Sequence, residues 1–147
     1  MEKSLRFLLS RDDWYHQRGY WVLANTFRNS GIEVILGGIQ TPGEIAKTAI
    51  QEDVDLIGYR IMQGAPGILL ALLFKKLQAS NALDIPVIVG GIIPQKDEVY
   101  IKELGVKEVF HPYSALEKMA EQVKIIAIKA REKRPDDKYS VKTLTAQ

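Results

Sequence analysis

The sequence has 147 residues, 46% of them hydrophobic and 26% charged, as expected for one compact domain with a sizeable core. A formal net charge of +2, with basic residues interspersed among acidic ones, argues against a nucleic-acid-binding surface. The absence of cysteine excludes disulfides, thiolate metal sites and cysteine nucleophiles. Since no apolar run is long enough for a signal peptide or a membrane span, we expect a cytoplasmic protein that does not contact a membrane.

Short apolar runs alternate along the chain with longer amphipathic ones, which predicts strands alternating with helices. The second helix has a specific start signal, because Thr41 can cap it, Pro42 fits its first turn and Glu44 completes a capping box. The strands are predicted at 5–9, 32–38, 54–59, 85–91 and 106–112. The helices are predicted at 18–30, 41–53, 67–80, 97–104 and 115–132.

Two of these helices carry an apolar stripe that we expect to face the core. In the first helix the stripe comprises Tyr20, Leu23, Ala24 and Phe27. In the last helix it comprises Leu116, Met119, Val123, Ile126 and Ala127. The remaining segment, 133–147, is polar and aperiodic, so we predict a folded domain over 1–132 followed by a loosely held tail.

Five strands with near-continuous apolar cores, each followed by a helix, indicate a parallel sheet covered on both faces. The commonest arrangement at this size is a flavodoxin-like α/β fold with strand order 2-1-3-4-5. Ligands of such folds bind beyond the carboxyl ends of the strands, at the switch point between strands one and three. Four segments would lie there, namely 10–19, 59–66, 90–94 and 110–114.

His16 lies in the first of these segments, three residues before Gly19. Its imidazole could ligate a metal, act as a base or bond the backbone. An ordinary zinc or iron site needs three or four protein ligands, and no second histidine is nearby. A single histidine suffices if a macrocyclic cofactor supplies the other ligands.

The glycine pair Gly90-Gly91 ends the fourth strand and has two interpretations. A turn with positive φ explains one glycine well, whereas close approach of a ligand to the backbone explains both. His111, near the end of the fifth strand, could contact a ligand phosphate or ribose, or could be a partly exposed loop histidine.

Three well-known chemistries do not fit these segments. Asp12 and Asp13 suggest a response-regulator receiver, but Tyr59-Arg60 and Phe110-His111 stand where its phosphoacceptor aspartate and its lysine are required. No Gly-x-Gly-x-x-Gly follows the first strand, which argues against dinucleotide binding. No serine, histidine and acid occur at nucleophile-elbow spacing either.

One family matches most of the chain. From about Arg6 to Lys129 the sequence resembles the cobalamin-binding domain of the acyl-CoA mutases, such as the small subunit or C-terminal domain of methylmalonyl-CoA mutase. The resemblance is carried by "HQRG", "QTPGEIAKTAIQEDVDLIG", "IPVIVGGIIP" and "LGVKEVF". The family motif is Asp-x-His-x-x-Gly, then Ser-x-Leu, then Gly-Gly, and it binds cobalamin with the cofactor's own dimethylbenzimidazole displaced from cobalt by the histidine.

The resemblance assigns roles to individual residues. It makes His16 the axial cobalt ligand, Gly19 the motif glycine, and Gly90 and Gly91 the pair beneath the nucleotide tail. Ser114 falls where the family tends to have a threonine close to that tail. Three positions depart from the motif and are also expected at the cofactor: Trp14 replaces the aspartate that orients the histidine, Arg60 replaces the serine of the slot for the displaced base, and Met62 replaces the leucine.

Trp14 belongs to an aromatic cluster with Tyr15, Tyr20 and Trp21 that exceeds what the core requires. Either Trp14 folds back over the first helix, or the corrin or a partner protein covers it. Arg60 either contacts the tail phosphate or blocks the slot.

The resemblance implies the cobalamin-binding small subunit of an acyl-CoA mutase, a carbon-skeleton isomerase that is inactive without a separate large barrel subunit. It favours adenosylcobalamin over methylcobalamin. The alternative is a non-catalytic regulatory or scaffold domain that binds cobalamin weakly or not at all, so whether the chain serves an enzyme stays open at this point.

Overall fold

The computed structural model describes residues 4–134, which form a five-stranded parallel sheet with helices on both faces. The strand order is β2-β1-β3-β4-β5, which confirms the predicted flavodoxin-like topology. The strands are β1 (Arg6–Arg11), β2 (Glu33–Ile39), β3 (Leu56–Ile61), β4 (Val87–Gly91) and β5 (Glu108–Phe110). The helices are α1 (Gln17–Asn29), α2 (Pro42–Gln51), α3 (Pro66–Ala79), α4 (Gln95–Leu104) and α5 (Leu116–Lys133).

The core has two parts, one on each face of the sheet. Helices α2, α3 and α4 cover one face, with Ile45, Leu73 and Ile101 fully buried. Helices α1 and α5 cover the other, where Phe27 of α1 and Val123 of α5 are buried against β1 and β3. Burial on both faces explains why the strand sequences are continuously apolar rather than alternating.

The predicted helix stripes are largely confirmed, with one correction in the last helix, and Tyr20 is corrected only as a member of the aromatic cluster. Tyr20 is buried in the core rather than being part of a surface cluster, since its hydroxyl donates to the Leu9 carbonyl at 2.6 Å and accepts from the Gly38 N–H at 3.0 Å. Leu116, the first residue of α5, is 39% exposed because it lines an open groove at the carboxyl edge of the sheet, and Ala120 is buried in the same helix.

Local hydrogen bonds at the start of α2 and at the amino-terminal edge of the sheet also stabilise the fold. The Thr41–Glu44 capping box is confirmed, with both reciprocal hydrogen bonds formed. At the amino-terminal edge of the sheet, buried Asp55 accepts from the Arg6 N–H at 2.8 Å and pairs with Arg131 at 2.7 Å. This pairing ties the end of α5 to the sheet. The predicted tail lies outside the described residues from 135 onward.

The register of the strands decides which side chains meet at the carboxyl edge. Arg11 of β1 lies beside Arg60 of β3, Arg60 beside Gly90 of β4, and Gly90 beside Phe110 of β5. Neighbouring residues in register share a face, so this row lies on the α1 and α5 side of the sheet. The four segments predicted to lie at the switch point, 10–19, 59–66, 90–94 and 110–114, contain these residues and continue beyond them.

Candidate functional site

A groove of about 560 Å³ opens at the carboxyl edge of the sheet, between the start of α1 and the segments that follow β4 and β5. We call it the edge groove. Six of the eight residues predicted to bind a cofactor line it: Gly19, Arg60, Met62, Gly90, Gly91 and Ser114. The other two, Trp14 and His16, lie in the adjoining loop between β1 and α1.

His16 stands at the N-cap position of α1 and its ring is held from behind by Asp13. Nδ1 is hydrogen-bonded to the Asp13 carboxylate, whose side chain is fully buried, while 44% of the His16 side chain is exposed. Nδ1 donates in this bond, because an ionised carboxylate only accepts. Nε2 has no hydrogen-bond partner among residues 4–134, and in this tautomer it is the nitrogen that can offer a lone pair.

Asp12, the residue before Asp13, has a different role. Its carboxylate accepts the backbone N–H groups of Met62, Gln63 and Gly64 at 2.8, 3.1 and 2.6 Å. These bonds join the loop after β1 to the loop after β3. The two acids that suggested a receiver domain therefore have separate roles here. Asp12 connects two loops, and Asp13 supports His16.

The loop aromatics Trp14 and Tyr15 are exposed, at 68% and 81%. Trp21 is partly exposed on α1 and meets Tyr20 edge-on, with ring centroids 5.8 Å apart. The exposed aromatic surface beside His16 therefore consists of Trp14 and Tyr15, with Trp21 farther along the helix.

The two glycines at the end of β4 differ in what the fold demands of them. Gly91 has φ +113°, and a Cβ there would lie 2.2 Å from the backbone oxygen of Ile61, so no other residue fits. At Gly90 a Cβ would meet only the Phe110 oxygen at 3.7 Å, which is ordinary contact. The backbone explains Gly91, whereas the missing side chain of Gly90 instead keeps the edge groove open.

Arg60 lies across the start of α1. Its Nη1 donates to the His16 carbonyl oxygen at 2.7 Å, and a Cβ on Gly19 would lie 2.3 Å from its Nη2. Burial lowers the pKa of the guanidinium, Asp13 opposes this and Arg11 adds to it. A guanidinium nevertheless keeps its charge near neutral pH.

His111 also lines the edge groove and is paired outside the predicted site. Its Nε2 is bonded to Glu98 of α4 at 2.8 Å. Burial raises the pKa of Glu98, but hydrogen bonds from His111 and Lys102 outweigh it and leave that pKa below its usual value. His111 is therefore engaged by a carboxylate, unlike the free Nε2 of His16.

Sequence reasoning missed several groove residues and left open whether Asp12 or Asp13 supports His16. The additional lining residues include Arg18, Val22, Phe110, Tyr113 and Leu116. Helical spacing from Gly19 could have found Val22, and spacing from Val22 could have found Arg18, because residues three or four apart share a helix face. No spacing rule reveals the Asp13–His16 bond, since it depends on the path of an irregular loop.

These observations limit the chemistry of the edge groove. Within residues 4–134, no group of three or more histidine and carboxylate side chains could hold a metal ion by itself. The site offers one free imidazole nitrogen supported by a buried carboxylate, an open surface at Gly90 and two arginines.

None of the helices within residues 4–134 is both long and apolar enough to cross a bilayer.

Comparisons with known proteins agree with the resemblance seen in the sequence. Residues 8–118 match the family model described as "B12 binding domain". The chain is 42% identical over 95 residues to the 2-hydroxyisobutanoyl-CoA mutase small subunit of Aquincola tertiaricarbonis, covering 64% of this chain and 70% of that protein. It is 38% identical over 109 residues to the mitochondrial methylmalonyl-CoA mutase of Bos taurus, covering 74% of this chain but only 14% of that protein.

Among solved structures, a response regulator receiver domain protein from Methanospirillum hungatei JF-1 superposes with a TM-score of 0.69 at 16% identity, covering 89% of this chain and 100% of that one. Identity at this level shows a shared fold only. Tyr59-Arg60 and Phe110-His111 remain where a receiver needs its aspartate and lysine.

Proposed function

Since the chain belongs to the B12-binding domain family, we propose that it binds cobalamin at the edge groove and acts as the small subunit of an adenosylcobalamin-dependent acyl-CoA mutase. The observation that carries the proposal is the environment of His16, in the loop adjoining the groove, whose Nδ1 is engaged by buried Asp13 while Nε2 has no partner among residues 4–134. This is the arrangement that fixes a histidine tautomer for metal ligation.

The residues of the chain have separate tasks in this proposal. His16 supplies Nε2 to cobalt, and Asp13 holds the ring and increases the basicity of that nitrogen. Gly90 leaves its backbone accessible, while Met62 and Ser114 border the same surface. When bound, cobalamin supplies the carbon–cobalt bond whose homolysis starts a radical rearrangement.

The residues fit a corrinoid at the rim of the groove, but they do not fit a base inserted into the fold. His16, Asp13 and Gly90 provide a free ligand, its support and an open surface. Arg60, in contrast, stands where the resemblance puts the serine that lines the slot for the displaced base, and its guanidinium lies beside Gly19.

A separate large barrel subunit is the expected partner. The relative from Aquincola tertiaricarbonis is named a small subunit, which supports a division of the enzyme into two chains. In this proposal the barrel binds the acyl-CoA. The exposed Trp14 and Tyr15 surface beside His16 suits burial against it. The location in the cytoplasm stays a prediction.

A non-catalytic regulatory or scaffold domain is the second candidate, and the position of Arg60 is the observation that favours it. A domain that holds cobalamin weakly would still have this fold. A gene beside this one that encodes a barrel subunit without its own cobalamin domain would favour the mutase subunit. Acyl-CoA isomerisation on mixing the two chains with adenosylcobalamin decides the matter.

The binding part is tested by titrating the protein with hydroxocobalamin and recording the visible spectrum. We expect the shift that accompanies replacement of the axial ligand, and its loss in His16→Ala. His111→Ala is the matched control, because it removes the second of the two histidines in the chain. An unchanged spectrum with the wild type, or equal shifts in wild type and His16→Ala, refutes His16 as the cobalt ligand.

A further inference from the structure

Arg60 separates two spaces in the molecule. It lines the edge groove of about 560 Å³ and also a cavity of about 20 Å³ between the sheet and helices α1 and α5, which we call the inner cavity. The inner cavity is bounded almost entirely by apolar groups. They include Phe7, Leu9, Leu23, Phe27, Gly58, Ile88, Val89, Phe110 and Met119.

The inner cavity is too small for a ring. A water molecule needs roughly 10–15 Å³ measured in this way, so 20 Å³ holds little more than one water. Phe7 and Phe27 fill the adjoining space with their rings in edge contact, centroids 4.8 Å apart, and both are at most 2% exposed. A flat two-ring base could enter only if Arg60 left and the phenylalanines moved.

Arg60 is held in place where the inner cavity adjoins the edge groove. Its guanidinium donates to the His16 carbonyl and lies against Gly19, with room for it only because that residue has no side chain. The same side chain thus lines both spaces, as Leu23, Gly90, Phe110 and Met119 also do, and it alone contacts the backbone of the loop that presents the imidazole.

The charge at this end of the groove favours an anion. Arg18 and Arg60 line the edge groove and no carboxylate does. Arg11, beside Arg60 in the register of the sheet, is 7% exposed, and its Nε and Nη1 lack any acceptor. Of the nearby carboxylates, Asp12 accepts three backbone N–H groups and Asp13 is bonded to His16 through Oδ2, while its buried Oδ1 has no partner. A ligand phosphate in the edge groove would meet the guanidinium groups of Arg18 and Arg60, and no carboxylate among the lining residues would compete with it.

We propose that Arg60 determines which corrinoids the groove accepts, by bonding the phosphate of the nucleotide loop and keeping the base out of the protein interior. This inference rests on the proposed function. It follows that a corrinoid ending in a phosphate binds best, and that cobalamin binds with its base outside the fold. Arg60 acts here through charge at the groove and through bulk at the inner cavity.

Three corrinoids separate these two effects. Cobinamide has neither phosphate nor base, cobinamide phosphate has the phosphate alone, and hydroxocobalamin has both. Dissociation constants are measured by visible titration for the wild type, Arg60→Gln and Arg60→Ser, with Arg18→Ser as the matched control from the same groove. Thermal melts establish that each variant is folded.

For the wild type we expect cobinamide phosphate to bind at least about tenfold more tightly than cobinamide, the size of one charge-assisted hydrogen bond. Arg60→Gln should lose this preference and still exclude the base, since glutamine keeps bulk without charge. Arg60→Ser should lose it too, and its affinity for hydroxocobalamin should rise relative to its affinity for cobinamide phosphate, because both lose the phosphate bond and the base alone gains space. Arg18→Ser should change these preferences less than either Arg60 variant.

Binding of all three corrinoids by the wild type without preference for the phosphate overturns the inference and leaves the proposed function intact. Tightest binding of hydroxocobalamin by the wild type, weakened in Arg60→Ser, also overturns it, because the base would then enter past Arg60. Failure of every corrinoid to bind the wild type removes the proposed function and this inference together.

Discussion

The imidazole of His16 is hydrogen-bonded through Nδ1 to the carboxylate of Asp13, three residues earlier in the same loop. The family motif places such a carboxylate two residues before the histidine, where this chain has Trp14. Asp13 is fully buried in its side chain, so the support comes from the protein interior and Trp14 remains free to face outward. The motif is displaced by one residue rather than lost.

Replacing Asp13 by asparagine should weaken hydroxocobalamin binding by roughly 10- to 100-fold, the usual effect of removing such a support. The amide no longer offers a carboxylate to Nδ1–H, so the tautomer with free Nε2 is less favoured. Visible titration measures the change, and Glu117→Gln on the exposed start of α5 is the control for lost charge.

A double variant, Asp13→Ala with Trp14→Asp, tests whether the carboxylate can act from the motif position. Recovery of affinity relative to Asp13→Ala would show that only the presence of a carboxylate matters. Equal affinities of Asp13→Asn and the wild type would instead show that Asp13 has no part in ligation.

Gly90 and Gly91 should respond in opposite ways to substitution by alanine. Gly91→Ala forces a side chain into a position 2.2 Å from the Ile61 oxygen at φ +113°, so we expect a loss of about 3 kcal/mol or more in the free energy of unfolding. Gly90→Ala should leave that free energy within ~0.5 kcal/mol, because its Cβ meets no closer atom than the Phe110 oxygen at 3.7 Å.

Among variants that fold, Gly90→Ala should have a larger effect on corrinoid binding than on stability. Gly90→Ala should weaken hydroxocobalamin binding at least about tenfold, a steric cost of only 1.4 kcal/mol, and Gly90→Val should weaken it further. Urea unfolding and visible titration on the same preparations give both quantities. A destabilised Gly90→Ala, or one with wild-type affinity, contradicts a ligand-facing role for this glycine.

Stability at alkaline pH should depend on Tyr59. Burial raises the pKa of its hydroxyl from 10.0 to about 12, and Asp12 adds to the shift. The neutral hydroxyl is favoured in the folded state, so its contribution is complete below pH 10 and is lost as the pH rises toward 12.

Urea unfolding between these limits should show a falling free energy of unfolding, by at most about 2.7 kcal/mol from this group. Tyr59→Phe should flatten the decline, although Tyr20, whose pKa burial also raises, contributes a decline of its own. An unaltered pH profile in Tyr59→Phe would show that the buried hydroxyl is not responsible.

The architecture could be predicted because its signals are local and repeated. Continuous apolar strands such as β3 and a capping box such as Thr41 with Glu44 each specify one element, and parallel pairing with helical crossovers leaves few strand orders. The predicted edge segments also came together, since the carboxyl ends of parallel strands share an edge.

What could not be predicted depends on where side chains go in irregular backbone. The sequence shows two acids before His16 but not that Asp12 turns to the β3–α3 loop while Asp13 turns to the histidine. It shows Arg60 in place of a serine but not that the guanidinium rests on Gly19. Tyr20 faces the core as its helical spacing predicts, but the sequence did not show that its hydroxyl is bonded there by the Gly38 N–H of another strand.

Trp14 presents a large apolar surface beside the imidazole that is proposed to bind cobalt. It is 68% exposed, and soluble proteins seldom leave a tryptophan uncovered next to another exposed aromatic such as Tyr15 unless something binds there. The core does not require it, since β1 and α1 are already packed through Phe7, Tyr20 and Phe27. We therefore predict that the barrel subunit covers Trp14.

Trp14→Ala should leave the free energy of unfolding within ~0.5 kcal/mol and weaken assembly with the barrel subunit at least about tenfold, because interface tryptophans often dominate binding energy. Trp21→Phe provides a background in which fluorescence reports Trp14 alone, since the chain has two tryptophans. In that background the emission should be red-shifted in the free protein and should move to the blue when the barrel subunit binds. A blue-shifted emission in the free protein, together with a lower melting temperature and normal assembly of Trp14→Ala, would show that this residue serves the fold and not the partner.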